Sequence, residues 1–163
     1  MLYLLDTNVF IQAKNPHYGL DFCPAFWDWL IDQNRRGHVH SIEKKVGDEL
    51  AAGNDELTEW AAVRGEAFFL SPDQEMLSTL ATVSAWVTGQ RYRPAAVNAF
   101  FQDADYYLVA HALAHRFTVV THEVVSDGVK NVKIPNVCIG VRVKCMTPYE
   151  MLRRERARFV LGK

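Results

Sequence analysis

Long apolar runs are missing from this chain. No stretch reaches the ~18 uninterrupted apolar residues that a bilayer crossing needs, so no membrane span is expected. The opening MLYLLDTN carries an acid at its sixth residue and no basic lead, unlike a secretory signal. Cysteine is scarce: Cys23, Cys138 and Cys145 are odd in number, widely spaced and in no Cys-x-x-Cys arrangement. That argues against a disulfide framework and a structural zinc, and for a reduced, cytoplasmic setting. Neither sign of charge is in excess, with 18 Lys and Arg against 19 Asp and Glu. A polyanion partner would therefore have to be met by a local patch. There is no Gly-x-x-x-x-Gly-Lys or Gly-x-Gly-x-x-Gly loop for nucleotide phosphates and no Gly-x-Ser-x-Gly elbow for a serine nucleophile. Repeats and Gly/Ser-rich linkers are also lacking. With 163 residues, 49% of them hydrophobic, residues 1–163 are expected to form one domain with a real core.

What is present is an alternation of short apolar strands and amphipathic helices. Leu2 to Leu5 reads as a strand buried on both faces that stops at Asp6-Thr7-Asn8. Pro24 to Arg36 has Phe26, Trp27, Leu30 and Ile31 at helical spacing, with Gly37 as a left-handed cap. His38 to Ile42 predicts a strand, Glu43 to Ala52 and Leu57 to Val63 predict helices, and Ala67 to Leu70 predicts a brief strand. Ser71-Pro72 opens the next helix, whose stripe is Met76, Leu80, Val83 and Val87. Beyond the loop Gly89 to Pro94, Asp105, Leu108, Val109, Ala112 and Leu113 share a helical face. Phe117 to Thr121 and Val137 to Val141 read as strands, and Thr147-Pro148-Tyr149-Glu150 is a capping box that starts a last helix. This order predicts an α/β fold with a mainly parallel central sheet, because parallel strands need crossovers that usually contain a helix.

Four acids stand out. Asp6 and Glu123 follow predicted strands directly, and ligands of parallel sheets bind beyond the carboxyl ends of strands. Glu49 and Asp105 lie on the apolar stripes of their helices, where an uncompensated carboxylate costs several kcal/mol. Few arginines surround these acids, so an oxygen-ligated hard cation, Mg²⁺ or Mn²⁺, is the simpler compensation. Such an ion activates water and neutralises a phosphoryl oxygen, which is the chemistry of phosphodiester hydrolysis. Thr7, Asn8 and Thr121 are suited to orient the carboxylates or the phosphate. Two positions stay open: Asp103 competes with Asp105 for the helix cap, and Asp127 could replace Glu123 as the fourth acid.

Together LLDTNVF, Val46-x-x-Glu49-Leu50, the stretch DYYLVAHAL starting at Asp105, and VVTHE ending at Glu123 resemble the four conserved blocks of PIN domains. Within that superfamily the chain is most similar to VapC-type toxins of toxin–antitoxin pairs and to related PIN-like proteins. The resemblance implies a three-layer α/β/α fold and a Mg²⁺- or Mn²⁺-dependent endoribonuclease. It also implies a homodimer, RNA as substrate and an antitoxin protein as partner. Asp6, Glu49 and Asp105 map to metal-binding acids, and Glu123 stands where the family usually has Asp. The segment from Leu70 to Phe101 is longer than in compact VapC toxins. The other reading is a PIN-like module without useful catalysis that binds RNA or protein.

The remaining signals are local. Arg91 and Arg93 flank Tyr92 in the central loop, where an aromatic between cations could stack on an unpaired RNA base, and Arg153 and Arg154 belong to a basic C-terminal stretch that could hold RNA phosphates without sequence preference. His111 and His115 stand four apart but lack the Glu of His-Glu-x-x-His, so they read as polar-face residues.

Overall fold

The computed structural model describes residues 1–42 and 56–160. Its centre is a sheet of five parallel strands, β1 (Tyr3–Leu5), β2 (Val39–Ile42), β3 (Phe69–Leu70), β4 (Thr118–Val120) and β5 (Cys145–Met146), in the order β3-β2-β1-β4-β5. Tyr3 stands opposite Val39 on one side and Thr118 on the other, so β1 is the central strand. All three residues of β1 are fully buried, which explains a continuous apolar run where a half-exposed strand would alternate.

Helices cover both faces. α1 (Thr7–Gln12) with a π-helical turn (Ala13–His17), α2 (Pro24–Arg35) and α3 (Glu56–Ala62) lie on one side, joined by aromatic contacts of Trp60 to Phe10 at 5.8 Å and to Trp27 at 4.9 Å between ring centres. On the other side are α4 (Gln74–Thr88), α5 (Pro94–Gln102), α6 (Ala104–His115) and α7 (Ile134–Gly140). α4 and α6 are pinned by Thr79 Oγ1 donating to Ala110 O at 2.7 Å and Tyr106 OH donating to Leu80 O at 2.9 Å. α8 (Pro148–Arg154) returns to the first layer, where the Tyr3 hydroxyl bonds Glu155 and the Phe159 ring meets Tyr18. Crossovers between parallel strands are almost always right-handed. The steps β1 to β2 to β3 run one way along the sheet and β4 to β5 runs the other, so one handedness sends their helices to opposite faces. The result is a three-layer α/β/α arrangement. Among the described residues, no helix is long and apolar enough to cross a membrane.

Several sequence expectations hold closely: Gly37 has φ 74° after α2, and Thr147 and Glu150 form the full capping box of α8. Others need correction. Val137 to Gly140 is helical, with Val141 as the C-cap, and not extended. Ile134, Val137, Cys138 and Val141 are buried at a helical period while Ile139 is 65% exposed, whereas a strand would bury 137, 139 and 141 alike. Gly140 lets this helix lie against α4, since a Cβ there would sit 1.9 Å from Trp86 Cε2. α4 starts at Gln74 with Asp73 as its cap, its Oδ1 accepting from Met76 N at 2.8 Å, rather than at Ser71-Pro72. Pro94–Gln102 forms a separate helix after the central loop, and Cys145–Met146 forms an edge strand too short to leave a pattern. The helix predicted over Glu43 to Ala52, with Val46 and Glu49, lies outside the described residues.

Candidate active site at the carboxyl edge of the sheet

From β1 the chain builds the sheet outward through β2 and β3, then returns to add β4 and β5 on the other side. The order therefore reverses between β1 and β4, the place where an open α/β sheet leaves a crevice beyond its carboxyl ends. Asp6 follows β1 there and Thr121 follows β4. Asp6 N donates to Val120 O at 2.9 Å, and Thr121 Oγ1 donates to Asp6 Oδ2 at 2.8 Å. Asp6 is 3% exposed and Thr121 1%. Asp6 also caps α1, but its Oδ1 accepts from Asn8 N at 3.5 Å, the outer limit of such a bond. A capping carboxylate gains nothing from burial; the short bond from Thr121 fixes its orientation instead.

Thr7 is buried at the start of α1 and Asn8 is exposed beside it. Asp105 sits in the first turn of α6 and is half-buried, in line with the buried Leu108, Val109 and Ala112. The cap of that helix is Asp103, whose Oδ1 accepts from Ala104 N at 2.6 Å, so capping does not account for Asp105. α6 runs directly into β4 through Arg116, which takes the left-handed conformation with φ 58°. A helix that feeds a strand in this way runs antiparallel to it, so the first turn of α6 stands at the carboxyl edge. Glu49 lies outside the described residues.

Glu123 is at the same edge, linked to Thr121 by its own N–H donating to Thr121 Oγ1 at 3.1 Å. Both of its carboxylate oxygens are engaged: Oε1 accepts from Lys133 Nζ at 2.6 Å and Oε2 from Ile134 N at 2.8 Å. It closes the loop between β4 and α7 onto the N-terminus of α7, a favourable place for an anion. Asp127 is exposed further along that loop.

The four candidate RNA-binding arginines separate into two groups. Arg91 and Arg93 are exposed, and Arg93 N donates to Val129 O at 2.9 Å, which ties their loop to the one that carries Glu123. Arg153 and Arg154 lie in the last turn of α8, next to Glu155, which bonds Tyr3 at the start of β1; they are at the amino side of the sheet.

A ring cluster at this edge has no counterpart in the sequence pattern. His17 ends the π-helical turn after α1, His122 follows Thr121, and Tyr149 is in the first turn of α8. The Tyr149 hydroxyl is 2.9 Å from His17 Nε2, and the ring centres of His17 and His122 are 5.8 Å apart. Burial, then the neighbouring His17, lowers the pKa of His122 below the ordinary histidine value. Only the position of His122 between Thr121 and Glu123 hinted at it.

The profile of a family described as "Domain of unknown function (DUF4411)" matches residues 3–159. The chain belongs to that family. Its match spans β1 through α8 and includes Asp6, Glu49, Asp105 and Glu123, so every candidate acid lies within the family's extent. No curated protein and no solved structure matches the chain.

Proposed function

We propose that this protein is a metal-dependent endoribonuclease of the PIN type, acting as the toxin of a toxin–antitoxin pair in the cytoplasm. The observation that carries this reading is Asp6: a carboxylate 3% exposed, at the reversal point of the sheet, oriented by a hydroxyl 2.8 Å away. The donors offered there are oxygens, which fits a hard dication better than a soft one. Asp6, Asp105 and Glu49 are the residues that would hold Mg²⁺ or Mn²⁺. When bound, the ion supplies charge neutralisation at the scissile phosphate and a more acidic water.

The chain's own groups do the rest. Thr121 keeps Asp6 in one rotamer, and the exposed Asn8 stands nearby to meet phosphate oxygens, while the buried Thr7 supports the turn beneath it. The rings of His17, His122 and Tyr149 offer surfaces on which unpaired bases stack, and Arg91 and Arg93 offer charge to the backbone. Glu123 is read as a loop anchor rather than a metal ligand, because Lys133 and Ile134 N occupy it. Val124, Val125 and Ile139 form an apolar rim beside it, 55–70% exposed, which supports a protein partner such as an antitoxin or a second subunit of a homodimer. That same engagement of Glu123 also favours a second reading, an RNA- or protein-binding module without catalysis.

Incubating purified protein with single-stranded RNA separates the two. Cleavage that requires Mg²⁺ or Mn²⁺ and stops with chelator supports the nuclease. Metal-independent RNA binding without cleavage supports the module.

A further inference from the structure

Asp73, His111 and His115 each offer a ligand atom, and these atoms lie within 4.8 Å of one another. They come from two elements: Asp73 caps α4, and the histidines stand at i and i+4 on α6, with ring centres 4.6 Å apart. We propose that these three residues form a second, nitrogen-rich site for one borderline dication such as Zn²⁺. The site is independent of the acids at the carboxyl edge. His111 is six residues beyond Asp105 on α6, about 9 Å along the axis at 1.5 Å per residue.

The arrangement of each ligand supports this. His111 does not lie on a polar face, as its spacing predicted; it is 3% exposed and its Nδ1 has no hydrogen-bond partner among the described residues. A buried imidazole nitrogen without a partner is costly, and a bound cation would satisfy it. Asp73 uses Oδ1 for the cap and directs Oδ2 to His115 Nε2, 2.8 Å away. That pair has the distance of a contact but not the alignment of a hydrogen bond. On the other ring edge, His115 Nδ1 is 3.5 Å from Glu75 Oε2, a second carboxylate near the cluster. Nε2 and Oδ2 are thus the facing atoms of His115 and Asp73. Ligand atoms of a tetrahedral zinc with bonds near 2.0–2.1 Å are about 3.3 Å apart, so little movement closes the site. Two imidazoles and a carboxylate suit Zn²⁺ and its neighbours, and three protein ligands leave a position for water. The three residues line a cleft of about 390 Å³ together with Leu2, Leu70 and Phe117, from which a water could reach a bound ion.

The test uses full-length Asp6→Asn protein, in which the carboxyl-edge site is disabled, so that failure here and failure of the nuclease reading remain distinct. Titrated with Zn²⁺, it should bind one equivalent, and Co²⁺ should give the intense visible absorption of a tetrahedral nitrogen-ligated ion. Adding Asp73→Asn, which keeps the cap, or His115→Gln should weaken binding at least about tenfold, since even outer-shell changes cost 10- to 100-fold. Zn²⁺ binding unchanged in both variants, or a Co²⁺ spectrum of the aqueous octahedral ion in the parent, would overturn the proposal. The Co²⁺ spectrum does not depend on the variants folding.

Discussion

Replacing Thr121 with valine removes one oxygen and almost no volume, which makes it a direct probe of the edge that holds Asp6. The side chain is 1% exposed, so no solvent can replace what is lost. Two hydrogen bonds go: the hydroxyl to the Asp6 carboxylate at 2.8 Å and the one that Thr121 Oγ1 accepts from Glu123 N at 3.1 Å. A bond to a charged acceptor contributes about 1.5–3 kcal/mol and a neutral one about 1 kcal/mol, for a total near 2–4 kcal/mol. In a domain of this size each kcal/mol moves the melting temperature by about 2–4 °C, so Thr121→Val should melt about 5–15 °C lower. Thr121→Ser keeps both bonds and gives up one methyl, worth about 1 kcal/mol. Urea unfolding of the two variants beside the parent measures the difference. A Thr121→Val protein within 1 kcal/mol of the parent, or a serine variant as unstable as the valine one, refutes the reasoning.

Glu123→Gln retains an acceptor for Ile134 N and loses only the charge that faces Lys133; if Glu123 anchors the loop, RNA cleavage should fall at least about tenfold less than in Asp6→Asn. Gly140→Ala drives a methyl into the Trp86 ring, so it should destabilise by about 1–3 kcal/mol, and Trp86→Leu should recover part of that in a double-mutant cycle. Bonds from Thr147 N and its hydroxyl hold the Glu150 carboxyl below its ordinary pKa. Its contribution is therefore fully present above the usual glutamate range and lost as pH falls through the depressed value. Melting curves of the parent and Glu150→Ala should differ by about 0.5 kcal/mol at pH 7, the low end of capping effects, and converge on strong acidification.

Elements with strong local signals were legible in the sequence. β1 is apolar throughout because both faces are covered, α2 carries a proline start and a glycine stop, and α8 carries a capping box. Val137 to Val141 misleads because β-branched residues favour strands locally while burial against α4 and α6 selects a helix; only the exposed Ile139 reveals the period. The positions of Asp6 and Thr121 could be anticipated from strand ends, but their bond depends on β1 and β4 being neighbours, a fact of topology 115 residues apart. Local spacing likewise cannot show that Asp73 meets His115, or that His17, His122 and Tyr149 converge from three segments. Glu123 reads as the fourth acid of the site because it follows a strand; the lysine that engages it is ten residues later.

The most direct test of the account is the rate of RNA cleavage in Mn²⁺ by the parent and by Asp6→Asn, each checked for native melting. A carboxylate that holds the ion cannot be replaced by an amide without loss, so the account predicts a fall of at least about a hundredfold in a protein that still folds. Equal rates in the two proteins would contradict it.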